Sequence, residues 1–155
     1  MSELTDPNEP DVARLSRMVL AGEDVAELVD LVRALNRELA PRTHLERRQV
    51  EHIALTEFEI DRRRRRVPEV EAKMMQEIYE QVVRRGMPPA SPEALTYVHP
   101  NLAAEAFLRA EDTFNDLDTG IWRLERRRAD LLRQYRDLVA VRRASAVEDA
   151  EVTPG

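Results

Sequence analysis

The chain has no cysteine, four glycines and a single lysine, Lys73, among its 155 residues, and aromatics make up only 5%. Each shortage excludes something. Without cysteine there is no disulfide, no thiolate metal ligand and no thiol nucleophile, which makes a cytoplasmic protein the default expectation. Four glycines leave no phosphate-cradling loop by pattern. Few aromatics mean an aliphatic core. No apolar run approaches the roughly 20 residues that span a bilayer. The acidic, polar stretch from Met1 to Pro10 does not read as a signal peptide, so no membrane partner is expected.

Charge is abundant instead, at 35% of residues, the level of long helices that expose much of their circumference. The formal net charge is −6, but it is unevenly spread. From Arg42 to Ser145 there are 20 basic and 18 acidic residues, while the two ends together hold 4 basic and 12 acidic ones. This mild basic excess is too small to predict nucleic-acid binding by itself. The preference for arginine over lysine fits a GC-rich coding sequence or a demand for guanidinium groups.

The strongest pattern is a heptad seam: Phe107, Ala110, Phe114, Leu117, Ile121, Leu124, Arg128, Leu131, Tyr135 and Leu138. Its spacings alternate three and four, which keeps one narrow stripe of a long helix against a partner helix. A second stripe runs Val50, Ile53, Ile60, Val67, Val70, Met74, Ile78 and Val82. Thr43 and Glu46 open that helix as a capping box. Pro68 lies in phase inside it and predicts a kink rather than a break. Gly86 is placed to end it. Ahead of it, Val12, Leu15 and Val19 suit a short helix over 11–21 that Gly22 ends. Asp24, with Glu27 three residues on, opens a second helix with the stripe Val25, Leu28, Val29, Val32, Leu35 and Leu39. Pro41 stops it.

The expected organisation is a disordered acidic start over 1–10, one helical domain over 11–145 and a disordered acidic tail over 146–155. Within the domain the helices are 11–21, 24–39, 43–85 and 101–144. A proline-rich hinge over 87–100 holds Pro88, Pro89, Pro92 and Pro100. It includes one helical turn from Ser91-Pro92-Glu93, and His99-Pro100-Asn101 forms the entrance to the last helix. Two long seams of similar length joined by a short hinge predict an antiparallel hairpin. The fold class is therefore all-α: a long, coiled-coil-like antiparallel hairpin with two short N-terminal helices packed on it. Pairing between chains is the alternative.

Arg62 to Arg66 is the loudest local signal. Arginine runs contact phosphates, but five successive residues spread around a helix, and no aromatic lies within the run to stack a base. A solvated charged face, nucleic-acid contact and an anionic protein partner all fit it. The nucleic-acid candidates are Arg62, Arg63, Arg65 and Arg66 with Arg126 and Arg127, which the antiparallel pairing would bring into one basic band. The same pairing sets Arg128, the polar seam position, within a turn of Glu57. An ion pair there would fix register, a role in which polar seam residues are well attested.

The remaining candidates are weak. His44 and His52 sit eight residues apart, about 12 Å along a helix, too far for joint chelation. None of Ser2, Ser16, Ser91 and Ser145 lies in a nucleophile elbow. No catalytic, cofactor-binding or metal-binding residue is assigned. Trp122 flanks the seam and suits a helix–helix or chain–chain contact. Gly120 beside it suits a close backbone approach.

Leu20-Ala-Gly-Glu-Asp24, Arg37-Glu-Leu-Ala-Pro41, Thr43-His-Leu-Glu46 and Ile53-Ala54 precede a closing segment, Leu124-Glu-Arg-Arg-Arg-Ala-Asp-Leu-Leu-Arg. Together, over residues 18 to 138, they resemble a set of uncharacterised bacterial helical proteins often encoded near phage or transposon genes. Those proteins often open with an Asn-Ala-x-Lys-His-Gly-like segment, which this chain lacks. The resemblance implies an all-helical protein in a mobile-element or DNA-linked setting and carries over no catalytic residue. The functional expectation is a non-enzymatic helical interaction or assembly protein that self-associates or binds another helical protein. It can serve as a DNA-linked accessory of a phage or mobile element. A regulatory partner of a single protein and a helical-bundle enzyme are the alternatives.

Overall fold

The computed structural model describes residues 9–86 and 100–151. Among these there are four helices and no strand: α1 Val12–Leu15, α2 Val25–Leu39, α3 His44–Arg84 and α4 Pro100–Glu151. The fold is all-α, with α3 and α4 antiparallel and the short helices packed on them. Contacts gather in two compact units. Of the described residues, one comprises 9–59 with 124–151, the other 60–86 with 100–123. The cause is local: α1 and α2 end by Leu39, so their apolar faces close a core in the first unit, whereas the second is built on α3 and α4.

In the first unit, α1 is much shorter than 11–21. The Ser16 hydroxyl donates to the Ala13 carbonyl at 2.9 Å, and Arg17 and Met18 bond three residues back instead of four. Serine competes for backbone groups in this way. Asp24 caps α2 by accepting from the Ala26 amide at 2.8 Å. At the other end Ala40 adopts the left-handed conformation, φ 48°, and buried Pro41 follows. The Tyr135 hydroxyl of α4 donates to the Leu39 carbonyl at 2.7 Å, satisfying an oxygen that a helix end leaves orphaned.

The Thr43–Glu46 box forms in both directions. Thr43 Oγ1 accepts from the Glu46 amide at 3.1 Å, and Glu46 Oε2 accepts from the Thr43 amide at 3.4 Å. Leu15, Leu28, Val29, Val32, Ala54 and Phe58 make one buried cluster. Val50, Ile53 and Tyr135 make another, with Leu39, Leu131 and Val139 against it. Gln49 Nε2 donates to the Leu131 carbonyl and to Gln134 Oε1, each at 3.1 Å. α4 continues to Glu151, past the expected end at residue 144. Ala144 to Glu151 holds three alanines and two glutamates with no proline or glycine, and alanine and glutamate extend a helix at little cost.

In the second unit Pro68 sits inside α3, which is one helix through it. Met74, Ile78 and Val82 form its buried cluster, with Met75, Tyr79 and Ala110 packed on it. Gly86 has φ 73°, the left-handed conformation that ends α3. α4 starts at Pro100, the favoured place for proline in a helix. The rest of the hinge, including Ser91-Pro92-Glu93, lies outside the described residues, as do residues 1–8 and 152–155 at the termini.

Candidate functional site

Seam positions carry the first of the expected sites. Arg128 Nη1 donates to both carboxylate oxygens of Glu57, at 2.9 and 2.7 Å. Both side chains are about one-third exposed, at 36% and 33%, so the pair is worth about 1 kcal/mol rather than the larger figure for a buried pair. Its geometric consequence is greater. A slip of one heptad would face Glu57 with Ile121 or Tyr135 and leave the carboxylate against an apolar or phenolic side chain. Arg128→Leu and Glu57→Leu should therefore keep full helix content by circular dichroism while broadening the melt or altering the mass by light scattering. Melts and masses matching the parent in both variants would show that the pair sets no register.

The arginine candidates divide between the units. Arg62, Arg63, Arg65 and Arg66 belong to the second, whereas Arg126 and Arg127 belong to the first. The run itself does not act as one surface. Arg62 and Arg63 are half-buried, and Arg64 to Arg66 are exposed. Arg64 lies 3.7 Å from Asp61. The Arg63 guanidinium lies where a Cβ on Gly120 would stand. The missing side chain at Gly120 thus admits an arginine head, not the neighbouring backbone expected from the sequence. Arg126 and Arg127 are exposed.

A site that the sequence did not announce surrounds Glu46. This carboxylate is 1% exposed. Its Oε2 accepts from the Arg42 amide at 2.6 Å as well as from Thr43. Its Oε1 lies 2.8 Å from Arg142 Nε of α4, off hydrogen-bond alignment, so that contact is ionic. One residue therefore caps α3 and holds an arginine of α4. Tyr135 stands nearby. Burial pushes its phenol above the ordinary 10.0, and the Glu46 charge adds to the rise while Arg142 opposes it. The phenol is a protonated donor at neutral pH. A cleft of about 430 Å³ opens beside this group, lined by Glu38, Arg42, Tyr135, Arg136, Arg142 and Arg143 among others. Only the Thr-x-x-Glu motif signalled any of it. Arg142 and Arg143 carry no motif, and their approach to Arg42 depends on the chain reversing between α3 and α4.

A second surface lies in the second unit, on α4. Phe107 is 51% and Leu108 69% exposed, although Phe107 was expected inside the seam. The Phe107 and Phe114 rings stack with centroids 5.9 Å apart. Ala104, Phe107, Leu108, Glu111, Phe114 and Asn115 line a groove of about 620 Å³. Their spacing describes one helical stripe, which Asp118 and Trp122 continue. Trp122 is 58% exposed. Ala110, one turn position away, packs on the Met74 cluster, so the helix turns its alanine inward while Phe107 and Trp122 stay exposed and Phe114 is half-buried.

Among the described residues, no group of three or more His, Cys, Asp or Glu is placed to hold a metal ion. His44 and His52 are both exposed. Among the same residues, no helix is long and apolar enough to cross a membrane. No family model, curated protein or solved structure matches this chain.

Proposed function

We propose that the protein is a non-enzymatic helical interaction module that associates through the exposed aromatic stripe of α4. The carrying observation is the exposure of Phe107, Leu108 and Trp122 on one face. Scattered exposed apolar residues are ordinary, but a groove built around stacked Phe107 and Phe114 rings marks an interaction surface. Two packed helices bury one face each and leave the other to a partner. The stripe also carries Glu111 and Asp118, so the matching surface is an amphipathic helix with basic flanks.

A second copy of this chain meets that requirement within its second unit, where Arg65 and Arg66 are exposed on α3. Self-association of this kind suits an assembly or accessory protein, and the resemblance to proteins encoded near phage and transposon genes supports a mobile-element setting. The test is solution mass by light scattering across concentration and salt. The parent is expected above the single-chain 17.9 kDa and to dissociate as salt screens the charged flanks. Phe107→Ser with Leu108→Ser should return it to single-chain mass with unchanged helix content. A parent at single-chain mass throughout, or a variant that associates like the parent, would sink the proposal.

A further inference from the structure

We propose that the cleft beside Glu46 binds a phosphate-rich anion, whether a nucleic-acid backbone or a free polyphosphate. The chain carries a net charge of −6, yet this cleft is lined by Arg42, Arg136, Arg142 and Arg143 against the single carboxylate of Glu38. Arg14, Arg33, Arg64, Arg84, Arg109 and Arg133 each hold a carboxylate. Arg42, Arg136 and Arg143 are exposed and make no ion pair with a described residue. Other arginines, Arg66 and Arg127 among them, also hold no carboxylate of a described residue; what distinguishes these three is that they gather around one cleft. Three uncompensated guanidinium groups around one concavity repel one another, and an anion seated among them removes that cost.

The fourth arginine is already positioned. Arg142 rests its Nε against Glu46, which fixes the stem of the side chain and lowers the ordering cost that binding would otherwise carry. The amides of Arg42 and Thr43 are taken by Glu46, so the guanidinium groups, not the start of α3, must hold the ligand. Guanidinium forks match phosphate oxygens in pairs. A neighbouring cleft of about 840 Å³ shares Ala40 and Arg42 and adds the exposed Arg37, while its Arg33 is held by Glu9 and Asp30. The basic surface thus runs beyond one phosphate, which favours a polyanion over a single small ion. The site is separate from the aromatic stripe and stands whether or not the chain self-associates.

The test is fluorescence anisotropy of the full chain with a labelled 20-base-pair DNA duplex, the matching single strand, and inorganic tripolyphosphate as competitor, over a range of salt. Arg136→Ala with Arg143→Ala removes two exposed guanidinium groups and should keep the parent's melting curve. It should weaken binding at least about tenfold and lower the salt slope by about two. Arg65→Ala with Arg66→Ala should change affinity less than about twofold. Competition by tripolyphosphate with no preference for DNA supports a free polyphosphate; DNA binding that it competes poorly supports the polymer backbone. Binding of neither probe at low salt, equal losses in the two double variants, or capture of polyglutamate in preference to both would overturn the proposal.

Discussion

Arg142→Ala should lower the stability of the first unit by about 3 kcal/mol, the lower end of the range for removing one partner of a buried ion pair. The loss comes from Glu46, which is left buried with a negative charge and no cation. It stays at the lower end because Glu46 Oε2 retains the amides of Arg42 and Thr43. Combining Arg142→Met with Glu46→Gln removes both charges and keeps an acceptor for those amides. The double variant should therefore lose less than Arg142→Ala alone, which is the non-additivity expected of touching residues. Urea unfolding followed at the helix signal measures both. An Arg142→Ala variant within about 0.5 kcal/mol of the parent would mean that the contact is ornamental.

Leu28→Ala should cost about 3 kcal/mol, within the usual range for emptying a buried leucine site. Leu28 is fully buried among Leu15 of α1, Val29 and Val32 of α2, and Ala54 and Phe58 of α3. Three helices meet there, and the long ones cannot move inward to fill the gap without disturbing the Val50–Ile53–Tyr135 cluster. Hydrogen exchange should speed in the α2 amides, whereas the amides around Met74 and Ile78, in the other unit, keep their parent rates. Val12→Ala, at an exposed α1 position, is the control and should stay within about 0.5 kcal/mol. Equal acceleration in both units would show that they unfold together.

Much of the fold was legible because its signals are local. Asp24, Pro41, the Thr43–Glu46 box and Gly86 mark helix ends through bonds or backbone angles made within a few residues. The stripe of Val50, Ile53, Ile60, Met74, Ile78 and Val82 is buried because helical period alone places those residues on one face. Glu57 opposite Arg128 followed from two such stripes running antiparallel. Other features misled for equally local reasons. Ser16 turns α1 aside by bonding the Ala13 carbonyl, and the acidic composition after residue 144 hid good helix formers. Phe107 has the right period for the seam yet lies outside it, because period defines a face but not the width that a single neighbouring helix can cover.

The sequence by itself determined the two long helices and their apolar seams, since these depend on propensity, capping and spacing along the chain; that the seams meet within one chain was one of two open pairings. Only the tertiary structure decided which charges meet. Whether Arg142 lies against Glu46, or Arg136 and Arg143 line a cleft with Arg42, turns on contacts made at short range between residues nearly a hundred positions apart. The pairing of two helices can slide by a turn without changing any helix, and a one-turn shift is enough to part an arginine from its carboxylate. The seams could therefore be read from the chain, while the arginines left without a carboxylate emerged only once the helices were packed.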